Sequence, residues 1–372
     1  MSKESVSKFC GLDFGTSNST LGTIKDNKAI LLPLEGNKTT LPSAIFYHFE
    51  LNEAFFGREA IEEYVDGEFG RLMRSLKSVL GTPLMHEKTQ IKSSLMPFTD
   101  IITHFLMNMK TQAEKHLGHE LEQVVLGRPV HFIDDDVIAD KLAQDTLEHA
   151  ATKAGFKDIV FQYEPIAAAL DYEQQIHQEE IALIADIGGG TSDFSVVVIS
   201  PEKSKSPDRK DDILASGGVH IGGTDVDRKL SLGNVMPEFG LGGKFKAAKP
   251  TIDYDKRFSI RKSVSSESFT QATQKIMPSN YYHDLSTWHK IHNLYERSTI
   301  HSLKDLAYQV ENKNHIDRLI TLINKREGHQ LAIDVEQAKI DLTSQQSSTI
   351  DLAYIEPNLA IEVVTKDLQA AI

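Results

Sequence analysis

Two short segments carry the same pattern of residues, and together they limit what this chain can fold into. Asp13-Phe14-Gly15-Thr16-Ser17-Asn18 lies near the start, and Asp186-Ile187-Gly188-Gly189-Gly190-Thr191-Ser192-Asp193 near the middle. Each follows an apolar run, Phe9 to Leu12 in the first case and Ile181 to Ala185 in the second. Each also leads into another run of strand character. A glycine-rich turn between strands presents successive backbone N–H groups, which make a concave anion site. An acid at the entrance of such a turn can hold a divalent cation, directly or through water. Two turns of this kind facing each other would clamp a polyphosphate and its metal from both sides, in a cleft between two related lobes.

Length and composition leave room for that arrangement. A chain of 372 residues can bury a large core and build two domains or one bilobal unit. The formal net charge of -13 disfavours a broad nucleic-acid footprint, which needs clustered Lys and Arg. The single cysteine, Cys10, rules out an intramolecular disulfide and fits a reducing compartment; its place in the first strand marks it as a small core residue. Met1 to Lys8 is polar and has no apolar core of a signal peptide, and no apolar stretch approaches membrane-spanning length. The expectation is a cytoplasmic protein, a monomer, with neither a membrane nor a nucleic-acid partner.

Residues 9–35 read as strands around the first turn, with a second turn at Asp26-Asn27. Thr39 to Phe49 reads as strand around Pro42, and Gly57 to Gly81 carries helical spacing. Ile101, Ile102, Phe105, Leu106 and Met109 predict a helix from Asp100 to Leu117, stopped by Gly118. Val124 to Leu126 is a short buried-type strand. Asp134, Asp135 and Asp136 then offer caps for a helix whose apolar face holds Ile138, Leu142, Leu147, Ala150, Ala151 and Ala154, with Gly155 at its end. Pro165 sits in the first turn of another helix from Glu164. Phe194 to Ile199 is strand, Ser200 to Asp212 a loop, and Gly217-Gly218 and Gly222-Gly223 flank a further short strand. From Gly233 to about Gly328 the pattern weakens into helical patches, which predicts a subdomain or insertion. Leu359 to Val364 reads as strand before a short helical tail.

The paired turns are no P-loop, because no G-x-x-x-x-G-K-[ST] run occurs and each turn leads into a strand. Their pattern resembles the actin, sugar-kinase and heat-shock ATPase superfamily. The likeness is nearest to DnaK-type heat-shock chaperones, and among them to YegD-like homologues. It is carried by Gly11 to Ser19, by Asp186 to Asp193, by Phe161-Gln162-Tyr163-Glu164-Pro165-Ile166-Ala167-Ala168-Ala169, and by Val335 to Thr343. The resemblance implies an α/β, actin-like (ribonuclease H-like) bilobal ATPase fold with the nucleotide between lobes. Lobe I would be 1–172 and lobe II 173–372, the latter with a core at 180–232 and a helical subdomain at 233–372.

The resemblance also assigns roles. Asp13 and Asp186 would hold magnesium through water, and Asp193 would help bind associated cations, potassium among them. Gly15, Thr16, Ser17 and Asn18 would grip phosphates from one side, and Gly188, Gly189, Gly190 and Thr191 from the other. Lys77, in Leu76-Lys77-Ser78-Val79-Leu80-Gly81, would orient attacking water and offset charge on the γ-phosphate, and Glu164 would lie by the metal and water. Gly222, Gly223, Glu336, Lys339 and Thr343 would surround ribose and adenine. Such roles are coherent because phosphoryl transfer rests on positioning and charge stabilisation. Plain alternatives stand beside them. Without its flanking segment Lys77 would read as a solvated helix charge; Glu164 has the alternative of a first-turn acid, and Glu336 with Lys339 that of an exposed i,i+3 pair of about a few tenths of a kcal/mol. Pro129 is either a relay between lobes or a strand-ending proline.

The implied activity is magnesium-dependent ATP binding and hydrolysis in a DnaK-type chaperone module, acting with client proteins or co-chaperones. A small-molecule kinase on the same fold and a non-catalytic nucleotide-binding scaffold are the rivals. After Thr343 the family's third glycine-rich segment and returning helix are not legible, so the expectation is an ATPase unit without its final strands and return helix.

Overall fold

The computed structural model of this chain describes residues 8–26, 28–133, 136–206, 209–219, 221–246 and 275–372. The anticipated positions Asn27, Asp134 and Asp135 lie outside them. By contacts the chain divides into two compact units, Met1–Gly223 and Thr224–Ile372. The lobe boundary expected at 172/173 is a separate matter and is a proposal.

The first unit begins with the strand hairpins that the first glycine turn demanded. Strands β1 (Phe9–Phe14), β2 (Asn18–Lys25) and β3 (Lys28–Leu31) run antiparallel, and β4 (Thr40–Pro42) pairs with β2. Ser43 bends the chain, and β5 (Ala44–His48), β6 (Glu53–Phe56), α1 (Gly57–Val65) and β7 (Gly70–Arg74) follow as a small sheet of order β6-β5-β7 with one helix. The helical spacing read over 57–81 therefore holds only to Val65. Beyond it the chain returns as a strand, and Leu76–Val79 is a single 3-10 turn entered through Ser75 in left-handed backbone, φ 57.

After a hairpin of β8 (Lys88–Ile91) and β9 (Ser94–Pro97), the chain makes two crossovers. Helix α2 (Phe98–Leu117) leads to β10 (Gln123–Arg128), which lies parallel to β1. Helix α3 (Val137–Lys153) leads to β11 (Asp158–Tyr163), parallel to β10. The main sheet thus has the order β11-β10-β1-β2-β3. Gly118 at φ 76 closes α2, where only a residue without Cβ turns left-handed at no cost. Asp136 caps α3 by accepting from the N–H groups of Ile138 and Ala139. Alternation decides what β1 does: Cys10, Leu12 and Phe14 point into the core while Asp13 points away from it. Leu12, Phe14 and Leu126 share that core with Phe105 and Met109 of α2 and with Leu147 and Ala150 of α3. Truncating a ring such as Phe105 to alanine costs about 3–5 kcal/mol. Burial pushes the Cys10 thiol up to about 12, the state of an inert core residue. Ile138, expected on the core face of α3, is 83% exposed, and Ala143 is buried instead.

Helix α4 (Glu164–Glu173) then feeds a second sheet, β12 (Glu180–Ile187), β13 (Ser192–Ile199) and β14 (Ile213–Val219), antiparallel in that order. Val197 and Ile199 pack with Ile166 and Ala169 of α4. Gly217 and Gly218 lie inside β14 rather than beside it. A Cβ at Gly218 would fall 2.3 Å from Oδ1 of Asp193, so that strand position must be bare. The loop before β14 is tied to α4 by Arg209, whose guanidinium donates to both oxygens of the fully buried Glu173.

The second unit is mainly helical. Helix α5 (Gly223–Leu230) starts at its edge, and α6 (Asn280–Leu285), α7 (Arg297–Ala307), α8 (Lys313–Lys325) and α9 (Gly328–Asp341) build it. A hairpin of β15 (Ser347–Asp351) and β16 (Ala360–Val364) follows, then α10 (Thr365–Ala371). The tail strand and helix were expected; β15 was not, because Gln345 to Ser348 reads as turn. Tyr282, Phe239, Leu319 and Leu331 belong to one core. Among the described residues no helix is long and apolar enough to cross a membrane.

Candidate functional site

The site grows from the two glycine turns, which meet inside the first unit. A Cβ placed on Gly189 would fall 1.8 Å from Oγ of Ser17, and one on Gly190 would fall 3.6 Å from a methyl of Thr16. The two hairpin tips therefore touch, and glycine is what lets them. Within the second turn, Gly188 N–H donates to the Thr191 carbonyl at 2.8 Å, and Thr191 Oγ1 donates to Asp193 at 3.2 Å. Gly222 and Gly223 close on the same turn. A Cβ on Gly222 would meet the Gly189 carbonyl at 2.6 Å, and Gly223 N–H donates to the Gly188 carbonyl at 3.0 Å.

Four charged residues gather beside the tips. Asp13 is the last but one residue of β1, Asp186 lies near the end of β12, Glu164 opens α4, and Lys77 sits in the 3-10 turn. Gly127 on β10 lies beside them: a Cβ there would sit in ordinary contact, 3.6 Å from Oε1 of Glu164 and 3.8 Å from Oδ1 of Asp13. Lys77 Nζ donates to Glu164 Oε1 at 2.8 Å. Burial raises the Glu164 carboxyl above its ordinary value, Lys77 opposes this, and Asp13 and Asp186 push it further up. Asp13 is raised as well: desolvation and the Asp186 charge act upward, and Lys77 acts downward. Three acids against one lysine leave an excess of negative charge. As whole residues Asp13 and Asp186 stay open to solvent, although the Asp13 carboxylate itself is partly desolvated by its neighbours. An all-oxygen donor set of this kind suits a hard, hydrated divalent cation. Glu164, Asp186 and Asp193 also line a small, open recess with Pro129 and Pro165.

Asp13, Thr16, Ser17, Lys77, Glu164, Asp186, Gly188, Gly189, Gly190, Thr191, Asp193, Gly222 and Gly223 thus lie in one unit, and most are neighbours. Gly15 and Asn18 form the first tip: a Cβ on Gly15 would fall 2.1 Å from the Asn18 carbonyl oxygen. Glu336, Lys339 and Thr343 belong to the second unit, on α9 and just past it. There Lys339 pairs with Asp227 at 2.8 Å, and the Thr343 hydroxyl donates to the Ile340 carbonyl.

Two features had no signal in the sequence. Ser43, 1% exposed, donates through Oγ to the Gly15 carbonyl at 2.7 Å and through N–H to the Ser17 carbonyl at 2.8 Å. Arg128 is held between the rings of Phe132 and Tyr163, each 5.2 Å away, and pairs with Asp140 at 2.9 Å. A second acidic cluster, His48 with Glu63 and Glu68, is a structural pin. Its Nδ1 accepts from the N–H groups of Glu50 and Leu51, so its proton sits on Nε2 facing Glu68. A metal-bound imidazole has the opposite pattern, donating from its second nitrogen.

Comparison with known proteins finds relatives of this sequence. Residues 98–242 match the family model described as Hsp70 protein. That span contains Glu164, Asp186, Thr191 and Asp193, while Asp13 and Lys77 lie outside it. A curated relative, the "Chaperone protein HscA homolog" of Rickettsia bellii (strain RML369-C), is 29% identical over 243 residues, covering 62% of this chain. The chain spans 38% of that relative's length.

Proposed function

We propose, from the premise that this chain is related to the Hsp70-type chaperone ATPases, that its first unit binds ATP or ADP with magnesium and hydrolyses ATP. The observation that carries the reading is the meeting of the two glycine turns beside Asp13, Lys77, Glu164 and Asp186. The turns of Gly15 to Asn18 and Gly188 to Thr191 would grip the phosphates in an actin-like, bilobal cleft. Asp13 and Asp186 would hold the cation, with Asp193 nearby for a further one such as potassium. The bound cation would offset phosphate charge and orient the chain of oxygens.

Lys77 is then the fixed positive charge facing the transferred group, and Glu164 serves twice. Its carboxylate holds the Lys77 ammonium in place, and it offers an acceptor to a water on the open side. Gly222 and Gly223, which close on the second turn, would meet the nucleoside end of the ligand. Nucleotide state would move the lobes against each other, with client proteins or co-chaperones as partners of a cytoplasmic monomer.

Isothermal titration of the chain with ATP and magnesium tests the binding, and phosphate release without any acceptor tests hydrolysis. Binding at micromolar to millimolar ATP with release of phosphate is expected. No heat of binding at millimolar nucleotide rejects the proposal. Phosphate transfer that appears only when a sugar is supplied favours the kinase alternative, and binding without turnover favours the scaffold.

A further inference from the structure

We infer that Ser43 is a positioning residue that aims the phosphate-gripping N–H groups of the first glycine turn. The inference rests on the nucleotide reading above and adds a residue to it. Ser43 occupies the bend between β4 and β5 and is 1% exposed. Its hydroxyl donates to the Gly15 carbonyl at 2.7 Å, and its N–H donates to the Ser17 carbonyl at 2.8 Å. A trans peptide is planar, so the carbonyl of one residue and the N–H of the next point in opposite directions. Fixing the Gly15 carbonyl therefore fixes where the Thr16 N–H points. Fixing the Ser17 carbonyl does the same for the Asn18 N–H. Both carbonyls are drawn to Ser43, so both N–H groups are turned away from it. A single buried residue thus sets the direction of alternate donors in the turn.

The hydroxyl proton has only one use. Because Ser43 Oγ donates to Gly15, the 2.9 Å contact with Ser19 Oγ is one in which Ser19 donates. The result is a short relay, Ser19 to Ser43 to the Gly15 carbonyl, with its end on the turn. Ser43 also reaches the other side of the site. Its carbonyl accepts from Ser75 N–H at 3.2 Å, two residues before Lys77. The turn that would grip phosphate and the turn that carries the lysine thus share one anchor. Neither glycine spacing nor hydrophobic period in the sequence marks it.

The test uses Ser43→Ala and Ser19→Ala in the full chain, with ATP and magnesium titrated calorimetrically. Both variants break the hydroxyl pair, but only Ser43→Ala frees the Gly15 carbonyl. A misdirected hydrogen bond to a charged group corresponds to about 10-fold weaker binding. Ser43→Ala is expected to bind about 10-fold more weakly at a stoichiometry near one, and Ser19→Ala to stay within about 2-fold of the wild type. Ser43→Cys, nearly isosteric with a weaker donor, is expected to shift in the same direction and decides the matter should Ser43→Ala not fold. Equal weakening in Ser43→Ala and Ser19→Ala would show a merely structural role and overturn the inference. So would a folded Ser43→Ala or Ser43→Cys within about 2-fold of the wild type. A wild-type chain that binds no nucleotide at all instead defeats the functional reading, and this inference with it.

Discussion

The ammonium of Lys77 sits 2.8 Å from Oε1 of Glu164, joining residues 87 positions apart in the chain. The pair couples the turn after β7 to the first residue of α4. It also holds the one cation among three acids whose charges crowd one another. Removing the ammonium leaves Glu164 with burial and two like charges, all of which raise its carboxyl further.

Lys77→Ala is expected to lower phosphate release about 10²–10³-fold, the size of effect seen when one preorganised donor is removed from a charged transition state. Binding of ATP with magnesium should change far less, because the glycine turns are untouched. Steady-state phosphate release beside calorimetry separates the two. Lys77→Arg is not a conservative control, since a planar fork does not fit a point-charge position.

Gly189→Ala puts a methyl where Ser17 Oγ already lies, at 1.8 Å, with Ser17 Cβ at 2.9 Å. Ser17 must turn its hydroxyl away, and its Cβ must give as well, which pushes the tips apart. Overpacking of this kind costs about 1–3 kcal/mol, and nucleotide affinity is expected to fall at least about 10-fold. Urea melts and calorimetry read both effects, and adding Ser17→Gly should restore part of each.

The first turn and the second were legible because their chemistry is local. Asp, glycine and a small hydroxyl residue within eight positions state a turn without help from the rest of the chain. The same is true of α2, bounded by Gly118, and of α3, capped by Asp136. What escaped was set by distant partners. Gly218 reads as a loop glycine until Asp193 is seen to occupy its Cβ position. The strand β7 hides in helical spacing because its pairing with β5 appears only in the fold. Ser43, Arg128 and the Glu173–Arg209 pair act through contacts that no spacing along the chain announces.

His104 on α2 gives the fold a pH dependence. Burial lowers its affinity for a proton below the ordinary 6.5, with Asp100 opposing, and its Nδ1 shares a hydrogen bond with the Tyr47 hydroxyl at 3.0 Å. The unfolded chain binds the proton more readily, so this contribution to stability is complete above about pH 6.5 and is lost as pH falls through the lower folded value. The slope from one proton is at most about 1.4 kcal/mol per pH unit. Urea midpoints at pH 7.5 and pH 5.5 should differ less in His104→Gln than in the wild type.

Asp136→Ala removes the acceptor of two N–H groups at the start of α3, at 3.1 and 2.9 Å. A loss of about 1 kcal/mol is expected, seen as a lower thermal midpoint, with ATP affinity unchanged.

Ser75 enters the lysine turn with φ 57 and ψ 41, a conformation that glycine or asparagine adopts more cheaply. Its N–H and carbonyl are both engaged, the latter by the Ser78 hydroxyl at 2.7 Å. Glycine at this position would relieve about 1 kcal/mol of strain but would also give the hinge new freedom, and Lys77 would inherit the slack. Under the proposed hydrolysis, durability and turnover would therefore pull in opposite directions at residue 75, and selection for heat resistance alone would blunt that activity there first.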